Sequence, residues 1–306
     1  MKISYQQTND IIRDTLIKGD PASILRIDNT AKYIIECILS NKQPSSEFCN
    51  DSTVVQAGVF PTSVEYLLDS IYPATIDLMK QSDLLGFVDV ENSMHNDPSK
   101  QFIYDTFAGR PIYSGHSILV MDPGAILGHA SHVSGCIDPW TKYLKGKKVL
   151  VISTHAETIK YQWNRIEQIW GKDKDIIAPF ELAGVIRSPF HPMMDDRQYP
   201  GCNSWSDTVG YIMEEMSKYD YDVLLSGATT SSPFYVDYAK QQGKIGIQTG
   251  GAIQIFFGIL GYRWTKVDGY KGWYNMYNDH WMYPMPIDSA QKREDYKFLE
   301  TNFAYW

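Results

Sequence analysis

KKVLVISTHAETIKYQWNRIEQIW, Lys147 to Trp170, opens with a short apolar run and continues with apolar residues at helical spacing. KKVLVIS reads as a buried strand, and Ala156 to Trp170 as an amphipathic helix with Ile159, Trp163, Ile166 and Trp170 on one side. This is a βα unit, and the pattern repeats. A strand is predicted near Glu181 to Ile186, a helix over Ser204 to Ser217 with Ser204 or Ser206 as N-cap, and a strand over Asp222 to Ser226. A helix over Phe234 to Gln242 and a strand over Lys244 to Thr249 complete the series. Short buried strands alternating with helices predict an α/β fold with a Rossmann-like, doubly wound and mostly parallel sheet.

Toward the N-terminus the pattern is less regular. Helices are predicted over Asn29 to Leu39 and Thr62 to Ser82, with a loop-rich part from Ser93 to Pro139. A boundary near Trp140 to Gly146 divides residues 1–140 from residues 141–306, unless the whole is a single compact domain. With 306 residues, 43% of them hydrophobic and 13% aromatic, the chain carries enough apolar surface for a large core.

The formal net charge of −8 and a sequence pI near 5.4 argue against a nucleic-acid partner, which calls for a basic face. Cys37, Cys49, Cys136 and Cys202 are widely spaced, which points to a reducing compartment rather than to a disulfide framework or a zinc ribbon. The opening MKISYQQTNDIIRD has no apolar signal core, and no run approaches the ~20 apolar residues of a membrane span. A soluble, cytoplasmic protein without a transmembrane segment is the expectation.

In a doubly wound sheet, ligands bind outside the carboxyl ends of the strands. Those ends are Ser153-Thr154-His155, Gly227 to Ser232 (GATTSS) and Thr249-Gly250-Gly251, and all are small or polar. Gly250-Gly251, followed by an apolar helix through Gln254 toward Arg263-Trp264, has the form of an anion-binding corner; a plain glycine turn reads the same way. Gly227, Ala228, Thr229 and Thr230 offer hydroxyls and backbone donors to phosphate or sugar, or else cap the next helix. Thr158 and Gln162 lie on the helix that follows the first strand, where both reach toward a ligand.

His155 and Glu157 at that helix start are candidate bases, although Glu157 also complements the helix dipole. Arg263 offers a guanidinium to phosphate and Trp264 a face to a base. His129 and His132 form an HxxH pair near His116 and Asp122, but a third ligand and a frame are missing, so they read as loop histidines. The aromatic and amide-rich segment Tyr274 to Trp281, with the terminal Tyr305-Trp306, suits either contact with carbohydrate or packing over the core. GxGxxG and the Walker pattern are both absent, which disfavours nicotinamide chemistry and P-loop hydrolysis.

Gln56 to Pro61 (QAGVFP), Leu144 to Ile152 (LKGKKVLVI), Glu157 to Gln162 (ETIKYQ), Tyr221 to Gly227, Gly250 to Trp264, Tyr277-Asn278 and Trp281 together resemble a bacterial family found with polysaccharide biosynthesis. That family is itself similar to the GT-D type of glycosyltransferase. The resemblance implies sugar transfer from a nucleotide-diphosphate sugar donor to a glycan acceptor, with residues 141–306 on the donor side and 1–140 on the acceptor side. It also brings Asn278 into the substrate site. GT-D enzymes carry an Arg-aromatic-Gly-Asp-Gly-Glu segment whose two acids hold a divalent metal, Mg or Mn. The corresponding run here is Arg26-Ile27-Asp28-Asn29-Thr30-Ala31, in which Asn29 and Ala31 stand at the acid positions and Asp28 is one position early. Arg26 and Asn29 are thereby implied as substrate contacts and Asp28 as the base. No metal ligand is assigned. The Ala228 to Ser232 loop differs from the Ala-Tyr-Gly usual in the closer family. Two alternatives stay open: a non-catalytic nucleotide or glycan-binding protein, and another Rossmann-type transferase.

Overall fold

A computed structural model describes residues 2–3, 5–45, 59, 63–87, 106–107, 112–114, 138–171, 180–188, 199, 201–261, 264–265 and 277–288. Its strands are β1 (Lys2–Ile3), β2 (Ala22–Ile27), β3 (Leu84–Phe87), β4 (Ile112–Ser114), β5 (Lys148–Ser153), β6 (Glu181–Arg187), β7 (Val223–Ser226) and β8 (Ile245–Gln248). They form one sheet in the order β1-β4-β3-β2-β8-β7-β5-β6, and every neighbouring pair is parallel. Helices α1 (Tyr5–Lys18), α2 (Asn29–Leu39), α3 (residues 64–81), α4 (Ala156–Trp163), α5 (Ile166–Trp170), α6 (Trp205–Met216), α7 (Ser232–Gln241) and α8 (Ala252–Phe256) cover it. The α/β, doubly wound fold follows directly.

Alternation along each strand sends side chains to two separate cores. Ile24, Val149, Val151, Val223, Leu225, Ile245 and Ile247 face α1, α4, α5 and α8, together with Trp140, Trp264 and Trp281. Leu25, Ile27, Leu150, Ile152 and Leu224 face α2, α3, α6 and α7. Each helix is held by the apolar stripe that it lends to its layer: Ile12 and Leu16 on α1, Ile34 and Ile35 on α2, and Val209, Ile212 and Met216 on α6.

Caps fix where these helices begin. Asp28 Oδ1 accepts the Ala31 N–H at 2.8 Å and starts α2, and Ser204 Oγ accepts the Asp207 N–H at 3.1 Å and starts α6. Of the two serines considered for that second cap, Ser204 does the work. α3 opens with Val64–Tyr66, passes through a π-helical stretch at Leu67–Ile71 and continues as α-helix over Tyr72–Gln81.

Two elements differ from expectation. The helix after Ser153 breaks at Asn164–Arg165, where the Arg165 N–H bonds the Gln162 carbonyl at 2.9 Å and tightens the turn. The helix after Gly251 is only five residues long and does not run on to Trp264. Gly258 at φ 63° ends it: the Ile259 N–H reaches back to Gln254 O at 2.8 Å and the Gly258 N–H to Ile255 O at 3.1 Å, a Schellman closure.

The N-terminal strands β2 and β3 enter the middle of the sheet rather than a separate irregular region. Ala22, Ser23 and Ile24 pair with Ile245, Gly246 and Ile247, so residues on both sides of Trp140 share one hydrogen-bonded ladder. Asn9 on α1 adds a second tie, donating to Asp138 O at 3.0 Å and accepting the Trp140 N–H at 2.8 Å. No helix among the described residues is long and apolar enough to cross a membrane.

Candidate functional site

β2, β8, β7 and β5 are consecutive neighbours, so their carboxyl ends lie side by side. From β5 the chain crosses outward to β6, and from β7 it crosses to β8 on the opposite side. That divergence makes the β5–β7 edge a topological switch point, the place where open α/β sheets leave a crevice. Ser153-Thr154-His155, Gly227 to Thr230, Thr249 to Gly251 and Arg26 to Asp28 all fall along this rim.

Arg26 is the one charged residue of the central strand ASILRI. Its backbone N–H donates to Gln248 Oε1 at 3.0 Å, which locks β2 to β8 one residue before the rim. The side chain is half-buried, with its Nε enclosed and without a hydrogen-bond partner, and the guanidinium makes no ion pair with any described residue. The guanidinium lies against Gly250: a Cβ built there would stand 2.7 Å from Nη1 and 3.0 Å from Cζ. Gly250 also holds φ 55°, so the backbone favours glycine there, and a side chain would displace the guanidinium that rests over it. On the other side, a Cβ on Gly227 would stand 3.1 Å from Gly250 O and 2.7 Å from Ile253 Cγ2. The ends of β2, β8 and β7 therefore meet within van der Waals reach.

Most backbone donors of the expected glycine corner are engaged inside the protein. Thr249 N and Gly250 N both donate to Ser226 O, at 2.8 and 3.2 Å, and Thr249 Oγ1 donates to the same carbonyl at 2.9 Å. Ala252, Ile253 and Gln254 donate to Thr249 O, Gly250 O and Gly251 O. The backbone cradle expected at Thr249 to Gly251 is thus reduced to the partly exposed Gly251 N–H, because the turn closes on itself.

The β7 loop is different. Ser232 Oγ caps it by accepting the Ala228 N–H at 3.0 Å, and Ser231 Oγ accepts from Trp205 Nε1 at 2.9 Å. Between them Thr229 is held at φ 45°, a left-handed conformation that is costly for a β-branched residue. The Thr229 and Thr230 hydroxyls bond to none of the described residues.

At the end of β5, Ser153 Oγ accepts the His155 N–H at 3.2 Å, and Thr154 Oγ1 lies 3.2 Å from the buried His155 Nδ1. Glu157, one of the expected bases, points outward with a 38% exposed side chain and is ion-paired with Lys160 at 2.8 Å. Asp28 uses Oδ1 for its cap, which leaves Oδ2 for other work. Asn29 opens α2 directly behind it.

Several residues expected to touch substrate make hydrogen bonds inside the protein. Gln162 is fully buried and donates from Nε2 to Gly258 O at 3.1 Å and His280 O at 2.9 Å. Gln254 accepts from Trp264 Nε1 at 2.9 Å, and Trp264 is buried, so it presents no face for stacking. Asn278 Nδ2 donates to Ile169 O at 3.0 Å, tying the segment 277–288 to α5. Thr158 accepts the Met285 N–H at 2.9 Å and donates from Oγ1 to Asp288 Oδ2 at 2.7 Å. Each of these side chains is engaged by partners from distant sequence, backbone or side chain, as buried polar groups generally are.

The carboxylate that completes this clasp has no counterpart among the sequence expectations. Asp288, with its side chain fully buried, receives the Thr158 N–H and pairs through Oδ1 with Arg187 Nη2 at 2.7 Å. Arg187 is the last residue of β6, and a charge ending a predicted strand was the available signal. Arg263, His116, Asp122, His129, His132, Tyr305, Trp306 and most of Gln56 to Pro61 lie outside the described residues. Among the described residues no group of three or more His, Cys, Asp or Glu side chains gathers to hold a metal. The chain matches no family model, no curated protein and no solved structure.

Proposed function

We propose that the crevice at the carboxyl ends of β2, β8 and β7 binds the diphosphate of a nucleotide-sugar donor and that the protein transfers the sugar to a glycan hydroxyl. One observation carries the reading: Arg26, a guanidinium with a buried, unbonded Nε, stands in a central strand without a counter-ion among the described residues. A charge held this way costs stability unless a ligand pairs with it. A planar fork of donors matches two phosphate oxygens better than it matches water.

In the transfer the bond from the anomeric carbon to the diphosphate breaks, and its electron pair leaves with the phosphate. Arg26 stabilises that developing charge, and the Thr229 and Thr230 hydroxyls and the Gly251 N–H add donors. The acceptor hydroxyl bonds to the anomeric carbon and gives its proton to Asp28 Oδ2, the carboxylate oxygen not used as a cap. Holding donor and acceptor together supplies the rest.

A second reading is a binding protein without turnover. It is favoured by Ala31, which lies on the buried face of α2 where the family resemblance implies an acid. Calorimetry with a panel of nucleotide sugars, followed by assays for hydrolysis and transfer, separates the two. Binding with turnover supports the transferase, binding alone supports the second reading, and no binding to any donor refutes the transferase.

A further inference from the structure

We infer that Arg26 takes the place of a divalent cation, so that this site holds a diphosphate without metal. The inference rests on reading the crevice as a diphosphate site and adds how the charge of that diphosphate is met.

A metal-bound diphosphate needs protein carboxylates to hold the ion, with oxygen ligands free to face it. The described residues do not fit that need. Of the two positions where the family resemblance implies acids, Ala31 is packed in the apolar layer of α2 and α3, so its direction is inward, and Asn29 carries no negative charge. Asp28 is the one carboxylate of this run, and its Oδ1 is engaged by the Ala31 N–H, so the run offers a single acid where the family resemblance implies two. No three-ligand group exists among the described residues. A guanidinium already occupies the rim, over Gly250, and a second cation beside it meets repulsion.

The same features suit direct neutralisation. Arg26 brings a permanent positive charge with Nη1 and Nη2 stacked on Gly250, where the absent side chain gives it room. Thr229 and Thr230, on the neighbouring β7 loop, bring hydroxyl donors that no described residue uses. Cationic side chains and hydroxyls are an established substitute for a metal at a leaving phosphate.

The full chain is titrated calorimetrically with UDP, ADP, GDP and dTDP, first in EDTA and then in Mg²⁺ or Mn²⁺ at matched ionic strength. At least one diphosphate is expected to bind in EDTA with an affinity that changes by less than about threefold when metal is added, while Arg26→Gln weakens it about tenfold or more. The wild-type arm stands alone if Arg26→Gln fails to fold. Binding that appears only with metal, or that is unaffected by Arg26→Gln in a folded variant, overturns the inference and leaves the diphosphate reading in place. No binding under any condition overturns both.

Discussion

Arg26 carries two opposing consequences. If its charge waits unpaired for a ligand, removing it relieves the free protein: Arg26→Leu is expected to raise unfolding free energy by about 1 kcal/mol in thermal melts while abolishing diphosphate binding. Gly250→Ala works in the opposite sense. It forces a Cβ into a φ of 55° and against Nη1 of Arg26, so a stability loss of about 1–2 kcal/mol together with weaker binding is expected from melts and titrations. At this scale the sequence was partly legible. An arginine inside ASILRI is visible as an anomaly, but the N–H groups of Thr249 and Gly250 turn inward to Ser226 O, and nothing in TGG reveals where those hydrogen bonds go. The same holds for side-chain amides. Gln162, Gln254 and Asn278 have the composition of ligand contacts, and each bonds backbone or indole partners brought in from distant sequence.

Among the elements, the segment 277–288 matters most, because it clasps α4 and α5 from outside. Asp288→Ala takes from Arg187 its buried carboxylate and from the Thr158 N–H its acceptor, and a loss of about 3 kcal/mol is expected in denaturant unfolding. Gln162→Ala removes two buried hydrogen bonds to the turn at Gly258 and to His280, and about 2 kcal/mol is expected to be lost with diphosphate affinity unchanged. A fall in affinity on that substitution would return Gln162 to the site. The βα units from Lys148 onward were legible because apolar period and caps agree there, as at Ser204. β2 and β3 were not, because a six-residue and a four-residue apolar run beside long helices give no periodic signal, and their status comes from pairing with β8 and with each other.

Over the whole molecule, one parallel sheet threads both sequence halves, with β2 against β8 at its middle and a core on each face. Neither half can bury its central strand alone, so a single cooperative transition is expected when far-ultraviolet dichroism and tryptophan fluorescence follow unfolding. Two separated transitions would mean that residues 1–140 and 141–306 fold independently. The same topology lays Arg26, Gly250, Gly227 and Thr229 along adjoining strand ends, although they come from parts of the chain some two hundred residues apart. A crystal structure of the chain with a bound nucleoside diphosphate tests this most directly. Phosphate oxygens are expected within about 3 Å of Arg26 Nη atoms and of the Thr229 or Thr230 hydroxyl. A diphosphate seated away from the ends of β2, β7 and β8, with Arg26 still unpaired, would contradict the assignment.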